Sequence, residues 1–356
     1  PTATGWFSKG KDLIEASKFD EAIEAFEKAI SLDGKYAEAY YKLGWIYNDK
    51  ELYTKAIEKL KKATELKTDY ANAYQELGYA YKKKGEYYEA LANINKAIIA
   101  KPGYALAYKQ LGDIYVKLDR KSEAITAYEN AYTYDSKNSS ACYELGYLYN
   151  GKEEYEKALL WLNRAAAIKS EVSTYNEIGF AYYKLKKNDE AIAAYKNALQ
   201  INPKNGTAYK GIGDVYRRNF SPAKTAEAKE NYLKAIENNP KSAGSHFGLG
   251  WCYNELGTYS LSIPSLKKAI ELDSKLAAAY TELGYAQYMT GYNYDAINTF
   301  DKGIAIATDT KLPVYYKGLV YIALKDKTNA YKMLDQLKPL DSKLYDKLYN
   351  KITAMQ

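Results

Sequence analysis

The stretch YYKLGWIYN (Tyr40–Asn48) returns as CYELGYLYN (Cys142–Asn150) and again as HFGLGWCYN (His246–Asn254). Inside it lies a plainer pattern, aromatic-x-x-Leu-Gly-x-x-Tyr, that recurs about every 34 residues. Gly10, Gly44, Gly78, Gly112, Gly146, Gly179, Gly213, Gly250, Gly284 and Gly318 stand in register, with steps of 34 broken by one of 33 and one of 37. Ten glycines in register predict ten repeats, starting near residues 3, 37, 71, 105, 139, 172, 206, 243, 277 and 311 and filling 1–344.

With the glycine set as position 8, the remaining columns align. Position 4 is Trp6, Tyr40, Tyr74, Tyr108, Cys142, Tyr175, Tyr209, His246, Tyr280 and Val314, and position 11 is nearly always Tyr. Position 20 is Ala in most repeats, position 24 is aromatic or aliphatic, and position 27 is usually Ala. Positions 4, 7, 8 and 11 make one face of a first helix, and positions 20, 21, 24, 27 and 28 make one face of a second. Gly85, Gly257 and Gly291 mark the turns between them, while Asp33-Gly34, Lys101-Pro102, Asn202-Pro203 and Asn239-Pro240 close repeats. A single hairpin cannot bury such a face alone, so the hairpins must stack. The small residues at 8 and 20 let paired helices approach closely, and this is where many of the 41 tyrosines find a structural use.

These columns resemble the tetratricopeptide repeat, W-x2-L-G-x2-Y followed by Ala, Phe and Pro, over essentially the whole chain. The resemblance implies an all-α fold: a right-handed superhelical α-solenoid of ten helix-turn-helix repeats. Three departures are visible. The seventh repeat gains three residues in RRNFSPAKTAEAK (Arg217–Lys229), which lengthens its turn; Pro264 falls near the start of a second helix, where a shift or kink is expected; and after Pro339 the stripe Leu344, Leu348, Ile352 predicts a C-terminal capping helix within 341–356.

The surface columns carry a longer period of three repeats. The second, fifth and eighth repeats share positions 5, 9 and 12: Tyr41, Trp45, Asn48; Tyr143, Tyr147, Asn150; Phe247, Trp251, Asn254. The fourth and seventh pair Lys109 with Asp113 and Lys210 with Asp214, and the third, sixth and ninth set an aromatic at position 9 (Tyr79, Phe180, Tyr285) behind Gln75, Asn176 and Thr281. Two readings stand side by side: a three-repeat block copied and not yet diverged, or a recurring groove site in which an exposed ring stacks while an amide hydrogen-bonds. On the second reading the partner-binding residues are Tyr41, Trp45, Asn48, Tyr79, Asp113, Tyr143, Tyr147, Asn150, Phe180, Asp214, Phe247, Trp251, Asn254 and Tyr285. Position 6 adds Glu76, Glu144, Glu177 and Glu282, and position 13 adds Lys83, Lys117, Lys184 and Arg218, either as helix stabilisers or as the edges of a mixed groove.

The resemblance implies a protein-interaction scaffold that holds a peptide or helical segment of a partner in an aromatic-lined concave groove. The alternatives are a regulatory or targeting module of a larger enzyme or cell-envelope assembly complex and, further off, a helical-repeat RNA binder. Family members that clamp a C-terminal carboxylate pair Lys at position 5 with Asn at 9, whereas Lys109 and Lys210 are followed by Asp113 and Asp214. No position-6 Asn ladder is present either.

Nothing points to an enzyme. His246, the only histidine, sits in a packing column, and no zinc cluster, P-loop or catalytic triad can be assembled. No catalytic, cofactor or metal site is expected. Net charge is +7 with both signs interspersed, which disfavours a nucleic-acid partner. No apolar run reaches a membrane span, and a soluble protein of cytoplasmic or periplasmic location is expected. The start PTATGWFSKG reads as a cut or processed terminus. Cys142 and Cys252, with two whole repeats between them, read as small buried hydrophobes, and the three Asn-x-Ser/Thr matches at Asn138, Asn205 and Asn219 as chance. Oligomeric state and partner identity stay open.

Overall fold

The computed structural model describes residues 2–355, and these are all-helical, with 21 helices and no strand. They run as hairpins of a 13-residue first helix and, in most, a 14-residue second helix. The chain divides between Ser170 and Glu171 into two units. The first holds α1 (Ala3–Glu15), α2 (Phe19–Leu32), α3 (Ala37–Asp49), α4 (Tyr53–Leu66), α5 (Ala71–Lys83), α6 (Tyr87–Ala100), α7 (Ala105–Lys117), α8 (Lys121–Tyr134), α9 (Ser139–Gly151) and α10 (Tyr155–Ile168). The second holds α11 (Val172–Lys184), α12 (Asn188–Ile201), α13 (Gly206–Arg218), α14 (Thr225–Asn238), α15 (Ala243–Glu255), α16 (Tyr259–Leu272), α17 (Ala277–Met289), α18 (Asn293–Ile306), α19 (Lys311–Ala323), α20 (Lys327–Leu337) and α21 (Ser342–Thr353).

Each hairpin closes on its position-8 glycine. A Cβ on Gly10 would stand 2.6 Å from the ring of Phe26, and one on Gly284 2.6 Å from that of Phe300, so the side chain at position 24 fills the space a larger residue would need. The position-20 alanines, from Ala22 to Ala330, are fully buried at the same crossing. The eighth repeat has Ser262 there, and its hydroxyl donates to the Gly250 carbonyl at 2.8 Å, which satisfies a polar atom inside the contact.

The turn between paired helices places one residue in the left-handed region. Gly85, Gly257 and Gly291 take φ of 81°, 70° and 83°, and Ser17, Glu51, Asp119, Glu153, Lys186 and Lys325 hold the same register at 55–61°. The seventh repeat departs as expected: 219–224 join α13 to α14, where 50–52 suffice between α3 and α4. Pro264 does not end its helix, since α16 continues through it over 14 residues.

Within each unit every second helix packs on the following first helix. First helices also pack on the next but one element, as in α3 on α5 and α5 on α7, or α13 on α15 and α15 on α17, whereas successive second helices make no comparable contact among the described residues. The first helices therefore line the tighter side of each stack. At the end of the second unit, α21 lays Leu348 and Ile352, both fully buried, onto α19 and α20. A Cβ on Gly318 would meet Leu348 at 2.7 Å, so the added helix fills the place that position 24 fills elsewhere.

Candidate functional site

The wall of first helices separates the expected site residues into two groups. The rings reach solvent to different degrees. Tyr147 is 52% exposed and stacks on Tyr143 at 6.3 Å; Trp45 and Trp251 are half-buried, as are Tyr41, Tyr79, Phe180 and Tyr285. Phe247 is a correction, being buried in the core of the second unit against Leu266 and Leu283.

The amides are a second correction. Asn48, Asn150 and Asn254 are each 5% exposed and lie within the helix stack rather than on its open surface. Asn48 Nδ2 donates to the Glu76 carbonyl at 3.0 Å and to Glu76 Oε2 at 2.8 Å; Asn254 Nδ2 repeats both bonds to Glu282 at 3.0 and 2.8 Å. Position 12 of one repeat thus clamps position 6 of the next. Leaving a buried donor unpaired is expensive, so the pair persists together. Burial holds the Glu76 carboxyl above the ordinary carboxylate range, partly offset by the amides of Asn48 and Gln75. Burial raises Glu282 too, against the lowering effects of Asn254 and Arg217.

Asp113 and Asp214 are the third correction, because both are engaged inside the protein rather than free for a partner. Asp113 accepts from Lys82 at 2.8 Å, Lys109 at 3.0 Å and the Tyr128 hydroxyl at 2.9 Å. Asp214 accepts from Lys210 at 2.6 Å and the Tyr232 hydroxyl at 2.7 Å, with Arg217 beside it at 3.5 Å. Burial alone would raise both carboxyls; Lys82 and Lys109 in one case, Lys210 and Arg217 in the other, bring them below the usual range.

In the first unit one cleft gathers several of these residues. It has a volume of about 220 Å³ and lies where α3, α5 and α7 meet, lined by Trp45, Asn48, Glu76, Tyr79 and Gln110 with Asp49 beside them. Sequence reasoning missed Gln110 altogether and placed Glu76 only in a charge column. The signal was available: a position-12 Asn is followed by a position-6 Glu in the next repeat at Asn48 and Glu76, Asn150 and Glu177, and Asn254 and Glu282.

Other expectations resolve simply. His246 is half-buried with Nε2 donating to the Pro240 carbonyl at 2.9 Å. Asn138 and Asn205 are helix N-caps that accept from Ala141 and Ala208 at 3.0 and 2.7 Å, and Asn219 Nδ2 donates to the Tyr183 carbonyl at 2.9 Å. Cys142 and Cys252 are free and buried, which pushes their thiols up to about 11 and about 12. No helix among the described residues is long and apolar enough to cross a membrane.

Sequence models described as tetratricopeptide repeat match residues 7–71, 76–133, 109–172, 172–205 and 231–263, and one described as TPR repeat matches 252–291. The chain belongs to the tetratricopeptide repeat family. It is similar to the TPR repeat-containing protein MJ1428 of Methanocaldococcus jannaschii, with 26% identity over 183 residues, or 51% of this chain; the match spans 27% of that relative's length. Among solved structures it resembles MamA, at 32% identity over 45% of this chain and 94% of that one with a TM-score of 0.43. It also resembles YrrB, described as a TPR protein with an unusual peptide-binding site, at 24% identity over 52% of this chain and 95% of that one with a TM-score of 0.48. In this tetratricopeptide array the three-repeat period is largely an internal one: Asn to Glu across one interface, Lys and Tyr to Asp at another.

Proposed function

We propose that this chain is a protein-interaction scaffold that holds a peptide or helical segment of a partner against its first-helix walls, and that it carries no catalytic step of its own. The observation that carries this reading is that the position-9 rings stay open on those walls, half-buried at Trp45 and Trp251 and more exposed at Tyr147. Aromatic side chains in such settings supply large contact area at low entropic cost and dominate binding when truncated. Tyr41, Tyr79, Tyr143, Phe180 and Tyr285 flank these anchors. Asn254, Asp113 and Asp214 keep the wall in shape and do not meet the partner directly.

The test is selection of binding segments from a random peptide display library on the full chain, followed by affinity measurement on the variant Trp45→Ala, Tyr147→Ala, Trp251→Ala. Loss of at least about tenfold in affinity, roughly 1.4 kcal/mol, is expected. Undiminished binding by the triple variant overturns the reading.

A further inference from the structure

We infer that the cleft where α3, α5 and α7 meet is a receptor for one primary ammonium group, the lysine side chain of a partner segment. The identity of the partner as a protein rests on the scaffold reading above; the cation preference rests on the cleft alone.

The buried polar atoms that the cleft lining leaves unpartnered are acceptors. Asn48 is 5% and Gln110 6% exposed, and both line the cleft; Asn48 Oδ1 and Gln110 Oε1 are buried and receive no hydrogen bond. The Asn48 amide cannot be turned to change this, since its Nδ2 is already spent on the Glu76 carbonyl and Oε2. Glu76 adds a carboxylate with no lysine or arginine within ion-pair distance among the described residues. Each buried acceptor left without a donor costs about 1–3 kcal/mol. An ammonium brings three N–H donors and no acceptor, which suits one carboxylate and two amide oxygens. A volume of about 220 Å³ falls below the roughly 300–1,000 Å³ of sites for drug-sized ligands and suits a single side chain.

The protein does not fill the cleft from its own stock of cations. Lys82 and Lys109 are held by Asp113, Lys82 and Lys83 lie over the Tyr79 ring at 5.6 and 5.5 Å, and Lys42 reaches the rings of Tyr41 and Trp45 at 5.6 and 5.9 Å, but none of them pairs with Glu76. The equivalent place in the second unit is different. There Arg217 lies over Phe247 and Trp251 at 5.2 and 5.4 Å, and its charge partly offsets the burial that raises the Glu282 carboxyl. Position 12 of the first repeat, in register with Arg217, is Ile14. The second unit carries a resident cation beside its Trp; the first lacks one in that register.

The test uses the full chain labelled with 5-fluorotryptophan, in which the Trp45 resonance is assigned through Trp45→Phe. n-Butylammonium chloride is titrated at constant ionic strength, with n-butanol as the uncharged control. A saturable shift of the Trp45 resonance with the ammonium, none with butanol, an unmoved Trp251 resonance and at least a tenfold weaker response in Glu76→Gln are expected. The other three tryptophan resonances report that the variant is folded. An equal response to butanol, an undiminished response in Glu76→Gln, or a matching response at Trp251 overturns the inference. The scaffold reading fails separately: display-selected segments that bind without lysine enrichment sink only the ammonium site, whereas saturable butylammonium binding with no segment captured sinks only the scaffold.

Discussion

The second and eighth repeats carry the same Trp and the same Asn in the same register and set them in different surroundings. In both, a Trp precedes a buried Asn that clamps the Glu of the next repeat with bonds of 3.0 and 2.8 Å. In both, the Asn oxygen receives no hydrogen bond, but around Trp251 the neighbours are Arg217 on one side and on the other Tyr316, whose ring packs 4.8 Å from that of Tyr285. Around Trp45 the corresponding neighbours are Ile14 and Gln110, and the Gln110 carbonyl oxygen has no donor. The frame is repeated while its completion is not. What distinguishes two copies of one motif lies in the repeats before and after it.

The most disruptive way to break the comparison is Arg217→Ile, which gives the second unit the first unit's residue. Removing one partner of a buried pair costs about 3 kcal/mol, and amide hydrogen exchange on α13 and α15 is expected to accelerate accordingly; unchanged protection would mean Arg217 is not a structural cation. Next come Asn48→Ala and Asn254→Ala. Each removes donors from a partly buried carboxylate, at about 2 kcal/mol, and the losses should be alike in both units when read by exchange on α5 and α17. Unequal losses would show that the clamp depends on its surroundings.

Smaller and opposite in sign is Glu76→Gln, which keeps an acceptor for Asn48 but removes a buried charge. The folded Glu76 carboxyl sits above its unfolded value near 4.5. Native stability therefore falls as pH rises from the unfolded value through the folded one. Glu76→Gln should accordingly stabilise the first unit by about 1 kcal/mol at neutral pH and have no effect below about pH 4; Glu282→Gln should gain less, because Arg217 already offsets that charge. Urea midpoints across pH check both. The smallest effect belongs to the turns. The first unit holds four non-glycine residues at positive φ, Ser17, Glu51, Asp119 and Glu153, against Lys186 and Lys325 in the second. Glu153→Gly should raise stability by about 0.5 kcal/mol, relief of left-handed strain less the entropy of a freer unfolded chain, visible as a small rise in thermal midpoint.

The fold was legible in the sequence because the residues that make it are the ones that repeat. Gly10 to Gly284, the position-20 alanines and the position-24 side chains meet within one hairpin, so each copy restates the same contact. The candidate site was legible only in its rings. Asn48, Asn254 and Asp113 had been assigned to the surface as what remained after one helix face was given to the core. In a stack, though, a first helix is pressed from its own partner and from the next first helix as well, so a second face is buried. Gln110 and Arg217 escape for a related reason: one shares a cleft with Trp45 and Glu76 and the other lies over Phe247 and Trp251, all in other repeats, and comparison within a column cannot see across columns. Phe247 was misplaced in the same way, its neighbours Leu266 and Leu283 lying in α16 and α17.

Two tyrosines carry this further. The Tyr195 ring packs against Gly179 of its own hairpin and against Gly211 of the next, and Tyr232 does the same with Gly213 and Gly248. A Cβ at Gly211 or Gly248 would collide with the ring behind it. Any exchange of hairpins during the history of this array would therefore have had to move such a tyrosine and the following glycine as one cassette, so viable crossovers fall inside a hairpin rather than at its boundary.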